Sequence, residues 1–252
     1  MSTRSIDPLR RRLASSLLAI PAWAGLGSVA ALGAGCAAPA ATVPPPAGAE
    51  PLPAPALRVG DRWRYMLVNR YNGGRLGETS VEVVAVSPEI RLRVDPGGGA
   101  AVTEERYADA WSVLVDATYD SRITFETPVQ VVPPGARTGL STRSATRYRS
   151  DASNDVLAWN QQLRVGGWER VQVPAGSFDA LRIERMIRFT HPDVFRFDPV
   201  RTDTLWYSPE VGRWVMREWT GNYMSGGPQP MRSRSREDWV QWLLSAWEPA
   251  KR

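Results

Sequence analysis

LRVGGWERVQVPAGSFDALRIERMIRF (Leu163 to Phe189), followed after a break by TDTLWYSPEVGRWVMREW (Thr202 to Trp219), is the sheet-building core of the chain. Each half reads as strand, tight turn, strand. Val171 and Val173 lead into a turn at Pro174-Ala175-Gly176-Ser177, and Phe178 leaves it. Proline pre-sets φ for the first turn position, and glycine accepts the left-handed backbone that a type I turn with a bulge requires. Beyond the turn, Leu181, Ile183, Ile187 and Phe189 fall on one face and Arg182, Glu184 and Arg188 on the other. This period of two is the signature of a half-buried strand, and Arg185 is its one violation. Ser208 to Gly212 turns the chain between two further strands rich in tryptophan. The segment builds sheet and holds no catalytic motif.

A chain of 252 residues accommodates one large β domain or two small ones. A hydrophobic fraction of 43% supplies a proper core. The formal charge of +5 overstates the folded part. Removing Arg4, Arg10, Arg11, Arg12 and Asp7 with an N-terminal leader leaves 27 basic against 25 acidic residues. That balance gives no reason to expect a nucleic-acid footprint, which needs a concentrated basic face. Lys251 is the single lysine, so arginine carries the positive charge. Arginine suits cross-strand pairing with carboxylates, although a G- and C-rich genome explains the same bias.

Residues 1–35 read as an export signal. Arg10, Arg11 and Arg12 form a basic n-region, and the apolar run from Leu13 is interrupted by Pro21 and scattered Gly and Ser, which makes a poor permanent span. The run ends at Gly33-Ala34-Gly35-Cys36, which resembles the bacterial lipobox with its lipidated cysteine, though Leu32 stands one position further out than the pattern places it. Cys36 is the chain's one cysteine and is the candidate lipidation site. A plain signal-peptidase site and an uncleaved anchor are the rival readings. The triple arginine also resembles a twin-arginine signal, so the export route stays open. Ala37 follows where well-studied lipoproteins retained in the inner membrane carry aspartate. By that resemblance the expected address is the outer membrane, facing the periplasm, with acylation supplying the attachment. Residues 36–56 continue as AAPAATVPPPAGAEPLPAPA after the cysteine, a proline- and alanine-rich stretch expected to extend as a semi-rigid spacer.

The folded domain is expected over 57–252. Leu57-Arg58-Val59-Gly60 recurs as Leu163-Arg164-Val165-Gly166, each soon followed by a tryptophan, a pattern open to duplication or coincidence. Trp63 to Leu67 and Val81 to Ala85 alternate as strands around an Asn72-Gly73-Gly74 turn. Further strands are expected at 91–94, 102–107, 111–117, 123–132 and 142–149, with Pro128 confining its strand to an edge or bulge. The final stretch, 232–247, mixes strand alternation with helical spacing of Trp239, Trp242 and Leu243, and is read as a strand ending in a helical turn.

His191 is the single histidine and Cys36 is remote, so no His/Cys metal site can be assembled, and no Walker loop, GxSxG elbow or dinucleotide fingerprint occurs. Glu104, Glu105, Asp109 and Asp116 could serve carboxylate chemistry. They are read instead as solvated or arginine-paired surface groups, and the chain as a non-enzyme without cofactor. The unusual resource is tryptophan, 11 residues, with Trp206, Tyr207, Trp214 and Trp219 clustered around one turn. Such a stripe either fills a core or lines an apolar ligand site on a concave sheet face.

Val165 to Glu184 (VGGWERVQVPAGSFDALRIE) and Leu205 to Glu218 (LWYSPEVGRWVMRE) resemble signatures of bacterial envelope lipoproteins of a domain-of-unknown-function type. The resemblance implies a curved antiparallel sheet like the LolA/LolB half-barrels that shelter acyl chains, and brings no catalytic residues. The expected fold is therefore mostly β, a large curved antiparallel sheet as a half-barrel or open barrel with few short helices. The expected function is an envelope lipoprotein that binds an apolar ligand or lipid moiety, or else an assembly accessory presenting a surface to another envelope protein.

Overall fold

The computed structural model describes residues 41–119, 121–226 and 233–251, all of them strand, turn or irregular chain with no helix. The export signal and Cys36 lie outside the described residues. Residues 37–252 form one compact unit.

Fourteen strands follow in order: β1 (Ala41–Val43), β2 (Arg62–Asn69), β3 (Arg75–Ala85), β4 (Ile90–Asp95), β5 (Thr103–Tyr107), β6 (Ser112–Asp116), β7 (Ile123–Gln130), β8 (Ser141–Ser150), β9 (Ser153–Val173), β10 (Gly176–Phe189), β11 (Arg196–Ser208), β12 (Arg213–Ser225), β13 (Ser233–Arg236) and β14 (Val240–Glu248). Successive antiparallel pairings run β9-β10-β11-β12-β14-β2-β3-β4-β5-β6-β7-β8, and β8 pairs back onto β9. The curved sheet expected from the alternation is present and bends on until it closes into a 12-stranded barrel. Closure depends on β9, whose 21 residues pair with β10 on one edge and with β8 and then β1 on the other. Gly166 and Gly167 bulge opposite Arg182, between the pairs Leu181–Trp168 and Ile183–Val165. A bulge of this kind sharpens the twist that a closing sheet needs.

The turn at Pro174-Ala175 joins β9 to β10, and Gly176 after it has a φ of 141°, which L side chains rarely adopt. The C-terminal segment departs from expectation. It forms β13 and β14 separated by Glu237–Trp239, and β14 remains strand to Glu248 with no helical turn. Trp242 and Leu244 are inward-facing strand positions here, and cross-strand pairing with β2 outweighs the helical spacing. The two Leu-Arg-Val-Gly copies also diverge, the first lying in irregular chain before β2 and the second inside β9.

The proline-rich stretch is no free spacer over its described part. Ala41–Val43 pairs with Trp168–Arg170, and Ala49 and Leu52 are buried. The Leu52 amide donates to the Ala136 carbonyl at 2.8 Å. Glu50, the segment's single charged residue, accepts from the Thr138 hydroxyl at 2.7 Å and the Trp168 indole at 2.9 Å. Ala49 and Leu52 find burial while most of the other side chains stay exposed and few amide hydrogens need partners, so residues 44–60 lie as a strap against Ala136, Trp168 and Trp214.

Inside, Trp63, Tyr65, Val81, Val83, Leu92, Trp159, Leu163, Ile183 and Ile187 are almost fully buried. Outside, strands carry ion pairs such as Arg62–Glu82–Arg93 and Arg170–Asp179.

Candidate functional site

The alternation that hides leucines and valines also hides charges. Arg185 on β10, Arg201 and Asp203 on β11, and Arg213 and Arg217 on β12 occupy inward positions. Their strands are neighbours, so the register stacks them into a belt across the barrel. Asp203 is its anchor. It accepts from Arg185 Nη1 at 2.8 Å and from Arg217 through Nε at 3.0 Å and Nη2 at 2.9 Å, a two-pronged contact. Burial alone would raise the Asp203 carboxyl, but the Arg217 and Arg185 guanidiniums outweigh it and hold it below the usual carboxylate range. Toward the strap, Arg213 Nη2 reaches Glu105 Oε2 at 3.4 Å, which also accepts from Tyr107 at 2.9 Å. Burial pushes Glu105 up, against the pull of Arg213. Toward the other end, Arg201 Nε donates to Glu237 Oε2 at 2.8 Å. Glu237 reaches it over Gly221, where a side chain would collide with the carboxylate.

Glu105 and Asp116 are thus buried rather than at the surface, because both sit at inward strand positions. Glu104 stays at the rim facing Arg91, and Asp109 caps its turn through the Trp111 amide and Ser112 hydroxyl.

The tryptophan quartet singled out by sequence is not one cluster. Tyr207 and Trp214 face inward near the strap, where Pro55 and Leu57 close over them and leave about 20 Å³, room for about one water. The Arg213 guanidinium carbon lies 3.8 Å from the Trp214 ring centre. Trp219 also faces inward, 5.8 Å from Trp242. Trp206 is on the outer face, its indole donating to Glu169 at 2.6 Å. One residue of offset sets Trp206 opposite Tyr207, since neighbouring strand positions point to opposite faces.

The end away from the strap holds a different aromatic group. Trp159 is the hub, with ring centres of Tyr119, Phe125, Tyr148 and Phe189 between 5.0 and 5.7 Å away. A cleft of about 100 Å³ opens beside it, walled by Tyr119, Ile123, Tyr148, Phe189 and His191 and floored by Arg201. The Arg201 guanidinium carbon stands 4.3 Å from the Tyr119 ring centre, within cation–π range. Burial raises the Tyr119 phenol to about 12, opposed by Arg185 and Arg201. His191 Nδ1 accepts the Asp193 amide at 2.9 Å, and Arg196 Nη1 lies 3.5 Å from its Nε2. Two polar atoms of this group, Tyr119 Oη and Trp159 Nε1, are buried without a hydrogen-bond partner. At the rim Val194 is 71% and Phe195 63% exposed. Sequence reading gave this cleft no signal, because its residues come from five separate stretches of chain.

No family model matches the chain, and no curated protein does. Two solved structures are similar. A provisionally assigned lipoprotein from Parabacteroides distasonis ATCC 8503 is 14% identical with a TM-score of 0.52, covering 79% of this chain and 98% of that one. A provisionally assigned exported protein with a YmcC-like fold from Bacteroides fragilis NCTC 9343 is 12% identical with a TM-score of 0.49, covering 82% and 99%. At such identities the likeness to the first is one of fold, and the chain shares with it a β architecture across nearly that protein's whole length.

Proposed function

We propose that this protein is an exported, lipid-anchored, non-enzymatic binding module of the bacterial cell envelope, facing the periplasm, and that it takes a small apolar ligand in the cleft beside Trp159. The cleft carries the reading: it is concave, mostly apolar with four aromatic walls, and adjoins a few polar groups, the usual make-up of a small-molecule site. It replaces the Trp206–Trp219 face as the candidate, since the inward members of that quartet are packed against covering residues. The lipobox-like Gly33-Ala34-Gly35-Cys36 supports anchoring, and so does the lipoprotein assignment of the Parabacteroides distasonis neighbour. Ala37 after the cysteine favours the outer membrane.

Native mass spectrometry of the purified protein tests the binding reading. A co-purified adduct is expected, lost when Ala152→Trp fills the exposed rim of the cleft; an apo mass for both proteins refutes it. Metabolic palmitate labelling tests the anchor, and equal labelling of wild type and Cys36→Ala refutes that part. The second reading, an assembly accessory, draws on the exposed Val194 and Phe195. Loss of partner capture in Val194→Ser/Phe195→Ser with ligand binding intact favours it.

A further inference from the structure

Which end of the barrel lies nearest Cys36 follows from the register of the first strand. Ala41, Thr42 and Val43 pair antiparallel with Arg170, Glu169 and Trp168. Traced back from Val43 to Ala41, the chain therefore runs along β9 toward the turn at Pro174-Ala175. Four residues separate Ala41 from Cys36. Even fully extended, the path from Cys36 to Ala41 spans at most about 18 Å. Neighbouring strands alternate in direction, so the turns at Pro174-Ala175 and Ser208–Gly212 share one end, and residues 190–195 between β10 and β11 lie at the other. The strap belongs to the first end. Pro55 and Leu57 adjoin Ile90 at the start of β4, Tyr107 at the end of β5, Val131 just beyond β7, and Gly212.

The surface presented there is apolar. From Pro44 to Ala56 every exposed side chain is a proline or an alanine, Pro51, Pro53, Ala54 and Ala56 among them. The one acid of that segment, Glu50, is turned in to the Thr138 hydroxyl and the Trp168 indole. Proline has no amide hydrogen, so little hydrogen bonding to water is given up when such a surface meets lipid. Val59 and Val86, 57% and 43% exposed, extend it, and the Gly60 amide bonded to the Val83 carbonyl at 2.8 Å holds their two segments side by side. Exposed charges at this end carry both signs, Arg58 and Lys251 against Asp109, Glu210 and Glu248, so no field of one sign repels the headgroups.

We infer that the strapped end is a membrane-seating face: with Cys36 lipidated, the proline and alanine surface of the strap rests on the lipid interface and the Trp159 cleft opens away from it. This rests on the lipid anchor proposed above. Val194 and Phe195 are more exposed than the valines of the strapped end, but they follow the Phe189–Trp159 pair, which lies about 30 Å of strand from Trp168 and beyond the reach of the tether. A short tether makes the lipid contact nearly intramolecular, so a modest apolar surface is enough to seat the barrel. Oriented in this way, the cleft and its rim face the aqueous side, from which a ligand arrives.

The test uses the full-length lipidated protein, purified from bacterial membranes and reconstituted into vesicles of phosphatidylethanolamine and phosphatidylglycerol that carry nitroxide-labelled headgroups. Lipidation occupies the thiol of Cys36, the chain's one cysteine, so an introduced cysteine alone takes a fluorescent maleimide. Ala54→Cys on the strap and Val194→Cys on the far rim replace exposed residues. The dye at 54 is expected to be quenched and the dye at 194 to keep its emission. Equal quenching, or stronger quenching at 194, overturns the orientation. Adding Pro53→Glu/Ala56→Glu to the Ala54→Cys protein separates a seated face from a tether alone: quenching at 54 is expected to fall, and unchanged quenching overturns the seat. Flotation with the vesicles and palmitate labelling read the anchor itself. Protein that floats and labels without quenching at 54 refutes the seat and leaves the anchor standing, whereas protein that neither floats nor labels removes the anchor and the seat with it.

Discussion

Replacing Asp203 with asparagine tests the belt at its anchor. The Asp203 side chain is wholly buried, and the side chains of Arg185 and Arg217 that it serves are 2% and 6% exposed. Asparagine keeps the shape, removes the charge and turns one acceptor into a donor aimed at guanidinium N–H groups. Three hydrogen bonds between 2.8 and 3.0 Å are disrupted, and two cations are left inside the barrel with no carboxylate between them. Breaking a buried pair from one side costs about 3–5 kcal/mol, because the remaining charge is uncompensated. For a domain of roughly 200 residues each kcal/mol moves the melting temperature by about 2–4 °C. The expected fall at pH 7 is on the order of 10 °C, followed by intrinsic tryptophan fluorescence. The pH dependence has a definite sign. Asp203 has a folded pKa below its unfolded value, so its stabilisation is present above the unfolded pKa, about 4, and is lost as pH falls through the folded value. The gap between wild type and Asp203→Asn is therefore full at neutral pH and narrows only in strong acid. A melting temperature within about 2 °C of wild type at pH 7 would falsify the view that this network holds the barrel's interior together.

Three further outcomes follow from the same geometry. Glu105→Gln acts in the opposite sense to Asp203→Asn: the Glu105 carboxyl is raised by burial, so the wild-type site is most favourable below its unfolded pKa and loses stability as pH rises through the folded one. Glutamine is accordingly expected to cost less at pH 7 than Asp203→Asn does, and a loss as large as that of Asp203→Asn in urea titrations contradicts this. Gly221→Ala puts a Cβ 2.2 Å from Glu237 Oε2 and drives that carboxylate off Arg201, at a cost of about 2–4 kcal/mol. In a Glu237→Ala background the same substitution is expected to be nearly free, and additive costs in the double-mutant cycle contradict the clash. Trp206→Phe loses one outward bond to Glu169 and should cost only about 1 kcal/mol while leaving ligand binding untouched; loss of binding would restore that residue to the site.

Much of this fold is legible in the alternation, and the reasons for the misses are physical. The hairpin at Pro174-Ala175 was readable because proline, glycine and period two all name the same local geometry. Barrel closure was not, since it depends on whether β8 returns to β9, a contact between strands that tilt and register determine and composition does not. Leu52 and Glu50 were lost in a proline-rich run whose composition says spacer, because docking sites for single apolar side chains exist only after the barrel has formed. Arg185 carried the one local clue to the belt. It broke an otherwise regular inward row of Leu181, Ile183 and Ile187, and an arginine at such a position demands a buried carboxylate. Asp203 and Arg217 were then identifiable in principle, as inward positions on the next two strands.

The belt also limits what the barrel can do. A tube of 12 strands with an empty lumen could pass a ligand from end to end. Here Asp203 with its two arginines crosses the middle, and Pro55 and Leu57 of the strap close one mouth over Tyr207 and Trp214. A ligand moving through would have to part a hydrogen-bonded ion triad and then lift the strap, both against several kcal/mol. Conduction and long-chain sheltering along the axis are thereby disfavoured on energetic grounds, and among the described residues Trp159 and Tyr119 leave a small cleft away from the strap. The arginines serve both sides of that division. Arg217 and Arg185 fill the centre, while Arg201, paired to Glu237 and lying against Tyr119, lines the cleft away from the strap.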